Sequence, residues 1–269
     1  TAEMNGSKAI VNKLLQKVEE LKAAYANPIE VEALDAAVAA VKTETIEECT
    51  ASIAALNDAM AAFKAVNDAE IAFQELAATL EGATAEAPVD ATGFIKNASF
   101  AGGSYNCDNG TGGGNLNAPE NWTVTYTNAD WGWKNFQPAT GGGQDGEQFF
   151  EFWAATYHTL TLGQEVRLPA GSYVVSAALR SEKADQVTSQ HVYVKIGEDV
   201  DSSAILGAPI GDSWNAVNAW QTLSVSFSVE KESVVTIGAG STGGANSAGW
   251  FQIDNFRLSC TGLIDPALA

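Results

Sequence analysis

Three scarcities shape the first reading of this 269-residue chain. It holds 3 Cys, 2 His and 14 Lys plus Arg against 33 Asp plus Glu. Three cysteines cannot build a disulfide-dense scaffold. The two histidines, His158 and His191, have no Cys or second His at metal-ligand spacing, which argues against a histidine-based metal centre. A formal charge of -19 with no Lys/Arg cluster repels phosphate backbones and excludes nucleic-acid binding. No apolar run reaches the ~18–20 residues of a spanning helix, so no transmembrane segment is expected. A basic start followed by an apolar stretch, the mark of a signal peptide, is also missing. With 46% hydrophobic residues, the chain can still bury a core.

Composition divides the chain near Asp90. Residues 1–90 hold 24 Ala, 2 Gly and no Trp, while residues 91–269 hold all 7 Trp and 23 of the 25 Gly. Charge does not separate the two parts: 6 minus 16 gives -10 before the cut, and 8 minus 17 gives -9 after it. Alanine with little glycine favours helix, whereas glycine with aromatic and β-branched residues favours strands joined by turns. The expected layout is a helical bundle over 1–82, a linker over 83–92, a β-sandwich over 93–262 and a tail over 263–269.

Ile10, Leu14, Leu15, Val18 and Leu21 form one helical stripe. Asn27-Pro28-Ile29-Glu30 reads as a cap, a proline at the first helical position and a glutamate two further on. The second helix turns Val31, Leu34, Ala37, Val38 and Val41 inward. The third starts near Thr45 with Ile46, Ile53, Leu56, Met60 and Phe63, and runs on through Ile71 to Leu76 or breaks at Asn67-Asp68. Short connections imply antiparallel neighbours and a three-helix bundle. With its stretch Ala59–Phe63, this region resembles the small helical repeats between domains of bacterial cell-surface proteins, which implies a spacer.

The second part predicts antiparallel strands at Trp122–Thr127, Gln148–Trp153, Thr159–Leu162, Ser172–Leu179, His191–Ile196, Gln221–Val229, Ser233–Ala239 and Trp250–Leu258. In Gln221–Val229, hydrophobic Leu223, Val225, Phe227 and Val229 alternate with Thr222, Ser224, Ser226 and Ser228. Many short strands with Gly-rich turns and no helix between them argue for a sandwich. Within it, Asn97-Ala98-Ser99-Phe100, Asn121-Trp122-Thr123, Leu168-Pro169-Ala170-Gly171-Ser172-Tyr173 and Ile253-Asp254-Asn255-Phe256 resemble the first, second, middle and last strands of galactose-binding-domain-like jelly rolls. The resemblance covers about 165 residues. It implies a jelly roll similar to non-catalytic carbohydrate-binding modules and to surface modules of gut bacteria, hence an exported, cell-surface protein that binds an oligo- or polysaccharide, with other surface proteins as further partners.

Sugar binding needs aromatic faces for C–H surfaces and amides or charges for hydroxyls. Trp131 and Trp133, with Asn135 close by, combine these in one stretch. Trp214 lies in a turn-like segment, Tyr105 in the Gly- and Asn-rich loop 101–119, and Arg180 is a candidate hydroxyl donor. Trp122, Trp220 and Trp250 fall in strand patterns and are expected in the core. Trp153 shares a strand face with Glu151 and Phe149. Jelly rolls of this kind often carry a structural calcium, for which Asp254 matches a ligand position. The group commonly has Glu after the motif phenylalanine, where this chain has Ala101, which counts against a calcium site, and no other cofactor is expected. The family neighbourhood of first and last strands makes a Cys107–Cys260 disulfide plausible, and Cys49 reads as a buried helix thiol. Two rival functions stay open: an adhesion or structural module whose aromatics pack on the helical part, and a sandwich glycosidase or lyase with two converging carboxylates.

Overall fold

A computed structural model describes residues 1–100, 119–127, 132–138, 143–144, 148–154, 158–181, 187–202, 220–243 and 249–265. Two compact units divide the chain, Thr1–Leu76 and Ala77–Ala269.

The first unit is built on three helices, α1 (Ala2–Ala23), α2 (Val31–Ala39) and α3 (Ile46–Ala78), the last starting in this unit and running unbroken past Asn67. Its core joins Val11, Leu14 and Val18 of α1 to Leu34 of α2 and to Cys49, Leu56 and Phe63 of α3. Val11 takes the place expected for Ile10, which is 51% exposed: the positions 11, 14 and 18 make a narrower stripe than the one read from sequence. Cys49 is the buried thiol expected.

Two polar side chains of α3 hold the connections. Ser52 Oγ accepts from the Lys42 N–H at 3.0 Å and donates to the Lys42 carbonyl at 2.9 Å. Asn67 does the same for Ile29, at 2.8 and 3.0 Å, and also donates to the Phe63 carbonyl. That capture displaces the expected cap. Residues 28–30 stay non-helical, Glu30 sits at φ 58, and α2 begins only at Val31 without a side-chain cap. Asn67→Ala leaves the Ile29 N–H and carbonyl unpaired beside a buried position, and is expected to cost about 1–3 kcal/mol. Urea unfolding followed by the helical circular dichroism signal checks this; an unchanged midpoint would refute the clamp.

The second unit is a two-sheet antiparallel sandwich. A six-stranded sheet orders β3 (Gly132–Pro138), β4 (Gln148–Ala154), β11 (Gly249–Leu263), β6 (Gly171–Ser181) and β9 (Gln221–Val229), with β1 (Val89–Asp90) pairing β11. A five-stranded sheet orders β2 (Thr123–Thr127), β5 (His158–Leu168), β10 (Ser233–Gly243), β7 (Val187–Ile196) and β8 (Asp199–Ser202). Apart from the β7–β8 hairpin, strands β4 to β11 thus alternate between the two sheets, the jelly-roll pattern. The core between the sheets includes Phe150, Leu162, Val175, Val194, Ile237, Phe251 and Ile253.

Three sequence expectations change here. The unit boundary falls after Leu76: Leu80, expected in the bundle, joins the core of the sandwich, as do Ala83 and Ala91 of the stretch read as a linker, and β1 adds to a sheet. Asn97–Phe100, matched to a first strand, forms a turn, with Asn97 and Phe100 at φ 53 and 55. Cys260 is a free thiol buried in the core, and Cys107, its expected partner, lies outside the described residues.

The motif residues converge even so. Phe100 meets Trp122 and Phe256 edge-on, with ring centroids 5.4 and 6.0 Å away, Trp122 and Phe256 lie 4.5 Å apart, and Trp122 Nε1 donates to the Asn97 carbonyl at 3.1 Å. Buried Gln164 holds the same corner, accepting from the Lys96 N–H and donating to the Lys96 and Asn121 carbonyls. In the Leu168–Tyr173 motif, the Tyr173 hydroxyl donates to the Pro169 carbonyl at 2.8 Å. A Cβ on Gly171 would stand 3.0 Å from the Gly262 carbonyl and 3.1 Å from the Tyr173 ring, so glycine lets β11 approach.

Candidate functional site

Strand alternation separates two faces of the six-stranded sheet. Phe150, Leu179, Phe251 and Ile253 enter the core, so Glu151, Arg180, Gln252 and Asp254 belong to the outer face. Register aligns three of them across neighbouring strands, Glu151 opposite Gln252 and Gln252 opposite Arg180. Arg180 Nε donates to Gln252 Oε1, and Gln252 Nε2 donates to Glu151 Oε2. The row extends in register to Asn135 of β3, opposite Glu151. The row two residues along aligns Trp133, Trp153 and Trp250.

These four residues are buried: Glu151, Gln252 and Asp254 at 0% and Arg180 at 2% exposure. Arg180 lies 4.3 Å from the centroid of the Trp220 ring and 5.4 Å from that of Phe149. The two rings stand 6.0 Å apart in an edge arrangement. Burial pushes the guanidinium down to about 10, against the opposing pull of Glu151 and Asp254, so it stays charged at neutral pH. An Arg beneath an indole gains cation–π attraction while its charge is balanced by the carboxylates alongside.

Asp254 accepts from the Gln144 N–H at 2.6 Å and from the Asn255 N–H at 2.7 Å. Asn255 sits at φ 50 and breaks the pairing of β11 with β6 there; its side chain donates to Gln144 Oε1. For the calcium considered at Asp254, these described partners are donors, where a hard cation requires oxygen ligands. Among the described residues, no group of three His, Cys, Asp or Glu could hold a metal ion.

The structure therefore brings together part of the predicted set. Trp133, Asn135 and Arg180 share one sheet face, but Trp131, Trp214 and Tyr105 lie outside the described residues. Arg180 is not offered to a ligand hydroxyl in this arrangement; it is buried beneath Trp220 and bonded to Gln252. Of the tryptophans expected in the core, Trp122 is there at 5% exposure. Trp220 is half-buried over Arg180 instead, and Trp250 takes a register position on the outer face, one residue before core-facing Phe251. The sequence offers Glu151 only as a strand neighbour of Trp153, and Gln252 not at all. Their signal was a single polar residue at an alternating position in Phe149–Trp153 and in Trp250–Ile253, and it becomes legible only once β4 and β11 are known to pair.

No described protein family and no curated protein matches the chain. Among solved structures it is similar to TmCBM61 in complex with β-1,4-galactotriose, with 22% identity over 61% of this chain and 96% of that one and a TM-score of 0.45. It is similar to a xylan-binding CBM22-1 domain from Paenibacillus barcinonensis, with 13% identity over 61% and 92% and a TM-score of 0.39. An enzyme, a Stig cyclase from Fischerella sp. TAU, is also similar, with 14% identity over 65% and 99% and a TM-score of 0.43.

Proposed function

We propose that the protein binds a glycan, without cleaving it, on the outer face of the six-stranded sheet. The observation that carries this reading is the ionic floor Glu151–Gln252–Arg180 beneath Trp220, bordered in register by Asn135 and by the row Trp133–Trp153–Trp250. The Trp220 ring held over such a floor offers apolar area to the C–H face of a sugar, the tryptophan positions in register beside it would extend that area, and an amide at the same edge can bond hydroxyls. Trp131 and Trp214 extend the aromatic set in this reading. Arg180 acts from below by holding Trp220.

Absence of cleavage rests on the state of the carboxylates. Glu151 and Asp254 share this face, yet both are fully buried, and both already accept hydrogen bonds. A glycosidase needs one carboxyl free to protonate the leaving oxygen and another free to attack or to activate water. The ligand site needs no metal in this proposal, so chelation with EDTA leaves affinity unchanged. The same reading places the protein outside the cell, where polysaccharides are met, and gives a micromolar-to-millimolar Kd that depends on avidity.

A glycan array on the wild type and on folded Trp133→Ala and Trp220→Ala variants tests the proposal. Binding weakened in both variants, with no reducing sugar released, is the expected result. Undiminished binding in both would move the site elsewhere, and released sugar would make the protein an enzyme.

A further inference from the structure

The five-stranded sheet has an outer face of different chemistry. Register aligns Thr123, Gly163, Gly238 and Tyr193 in one row, and Thr125, Thr161, Gly240 and His191 in the next. Three glycines at the centre of paired strands forgo side-chain packing, and a glycine there often marks a close approach. A Cβ on Gly238 would stand 2.6 Å from the Tyr193 ring, and one on Gly163 would stand 2.6 Å from the Tyr193 hydroxyl. Tyr193 thus lies down along the sheet, crossing β10 to reach β5, where its hydroxyl is bonded to Thr161. His191 covers Gly240 in the same way, since a Cβ there would be 3.0 Å from Nε2, and its Nδ1 is 2.7 Å from Ser189 Oγ.

Two half-buried rings therefore rest on a glycine floor, 6.0 Å apart and tilted by 57°. Hydroxyls surround them, with Thr123 and Thr125 exposed and Thr161 and Thr236 half-buried. Neither central row contains a charged residue, in a chain with 47 of them, 14 plus 33. Among the described residues of these strands, Glu165 and Lys195 sit on the following row and oppose each other in sign across Thr236. Burial holds the His191 imidazole below its ordinary range, which keeps the ring uncharged at neutral pH. A charged ligand would find no counter-charge in these two rows, whereas a neutral one rich in hydroxyls and C–H faces matches the surface. Two tilted rings suit successive residues of a soluble chain that turns as it runs, and they do not suit a flat crystalline surface.

We propose that the Tyr193–His191 face of the five-stranded sheet is a second binding site, independent of the tryptophan face, for a soluble neutral polysaccharide chain. The histidine Cε1–H signals of a labelled full chain test it, because only His158 and His191 contribute. Soluble xylan, soluble galactan and cellohexaose serve as probes, with microcrystalline cellulose as the insoluble control. At least one soluble probe is expected to shift the His191 signal, both in the wild type and in a Trp133→Ala/Trp220→Ala variant. Tyr193→Ala, which opens space without adding a clash, should then weaken the retained binding by about tenfold. A His191 signal that no soluble probe moves overturns the second site, whatever the tryptophan face does. A shift that disappears in the double tryptophan variant overturns its independence. Failure of the first site reads differently, as undiminished total binding in that same variant.

Discussion

Arg180→Met is expected to lower the stability of the sandwich by about 3–5 kcal/mol, because it leaves Glu151 and Asp254 buried without their cation. The expected signature in urea is a fall in midpoint with little change in slope. Arg180→Lys keeps the charge, but a compact ammonium neither spreads beneath the Trp220 ring nor reproduces the Nε–H bond to Gln252, so it should fall between the two. Adding Glu151→Gln to Arg180→Met removes one of the stranded charges and should recover part of the loss. An Arg180→Met protein within about 0.5 kcal/mol of the wild type would show that this row is not an interior charge network. Arg180→Lys also separates stability from function: a folded protein whose indole fluorescence changes and whose glycan affinity drops would assign Arg180 the role of holding Trp220.

The distance between sequence and structure is instructive at this same face. Hydrophobic alternation located the strands because one side of each must enter the core, and Gln221–Val229 matches β9 residue for residue. Gly132–Pro138 escaped because Gly-Trp-Lys-Asn-Phe-Gln-Pro has neither clean alternation nor β-branched residues, and its strand exists through pairing with β4 at the sheet edge. The strand patterns around Trp220 and Trp250 point to the core because a large apolar residue in a strand is ordinarily buried there. Arg180 provides a second place for an indole, which only the register between β6 and β11 reveals. In the helical unit, local chemistry favoured a cap at Asn27-Pro28, but Asn67, thirty-eight positions from Ile29, claimed that backbone first. In each case a long-range partner overrode a sound local preference.

Trp122→Ala is the second substitution expected to act strongly, at about 3–5 kcal/mol. Its indole fills the corner where the turn 97–100, the start of β2 and the irregularity in β11 meet, against Phe100 and Phe256. Four non-glycine residues around that corner, Asn97, Phe100, Asn121 and Asn255, have φ values of 53, 55, 68 and 50. Left-handed backbone persists in such residues only where surrounding contacts over-determine it. The indole supplies those contacts: ring packing on both sides, and the bond from Nε1 to the Asn97 carbonyl at 3.1 Å. Removal of the ring therefore creates a cavity and releases the restraint on the turn. Trp122→Phe separates the two effects, since it refills much of the space but leaves the Asn97 carbonyl without this donor, and should recover more than half of the loss. Near-ultraviolet circular dichroism and urea unfolding read both variants. A loss below about 1 kcal/mol for Trp122→Ala would mean that the corner collapses around the missing ring. The resemblance of Asn97–Phe100 and Asn121–Thr123 to jelly-roll strands would then reflect sequence similarity alone. A loss in the expected range would give the motif its physical meaning, an aromatic plug that ties the start of the sandwich to its last strand.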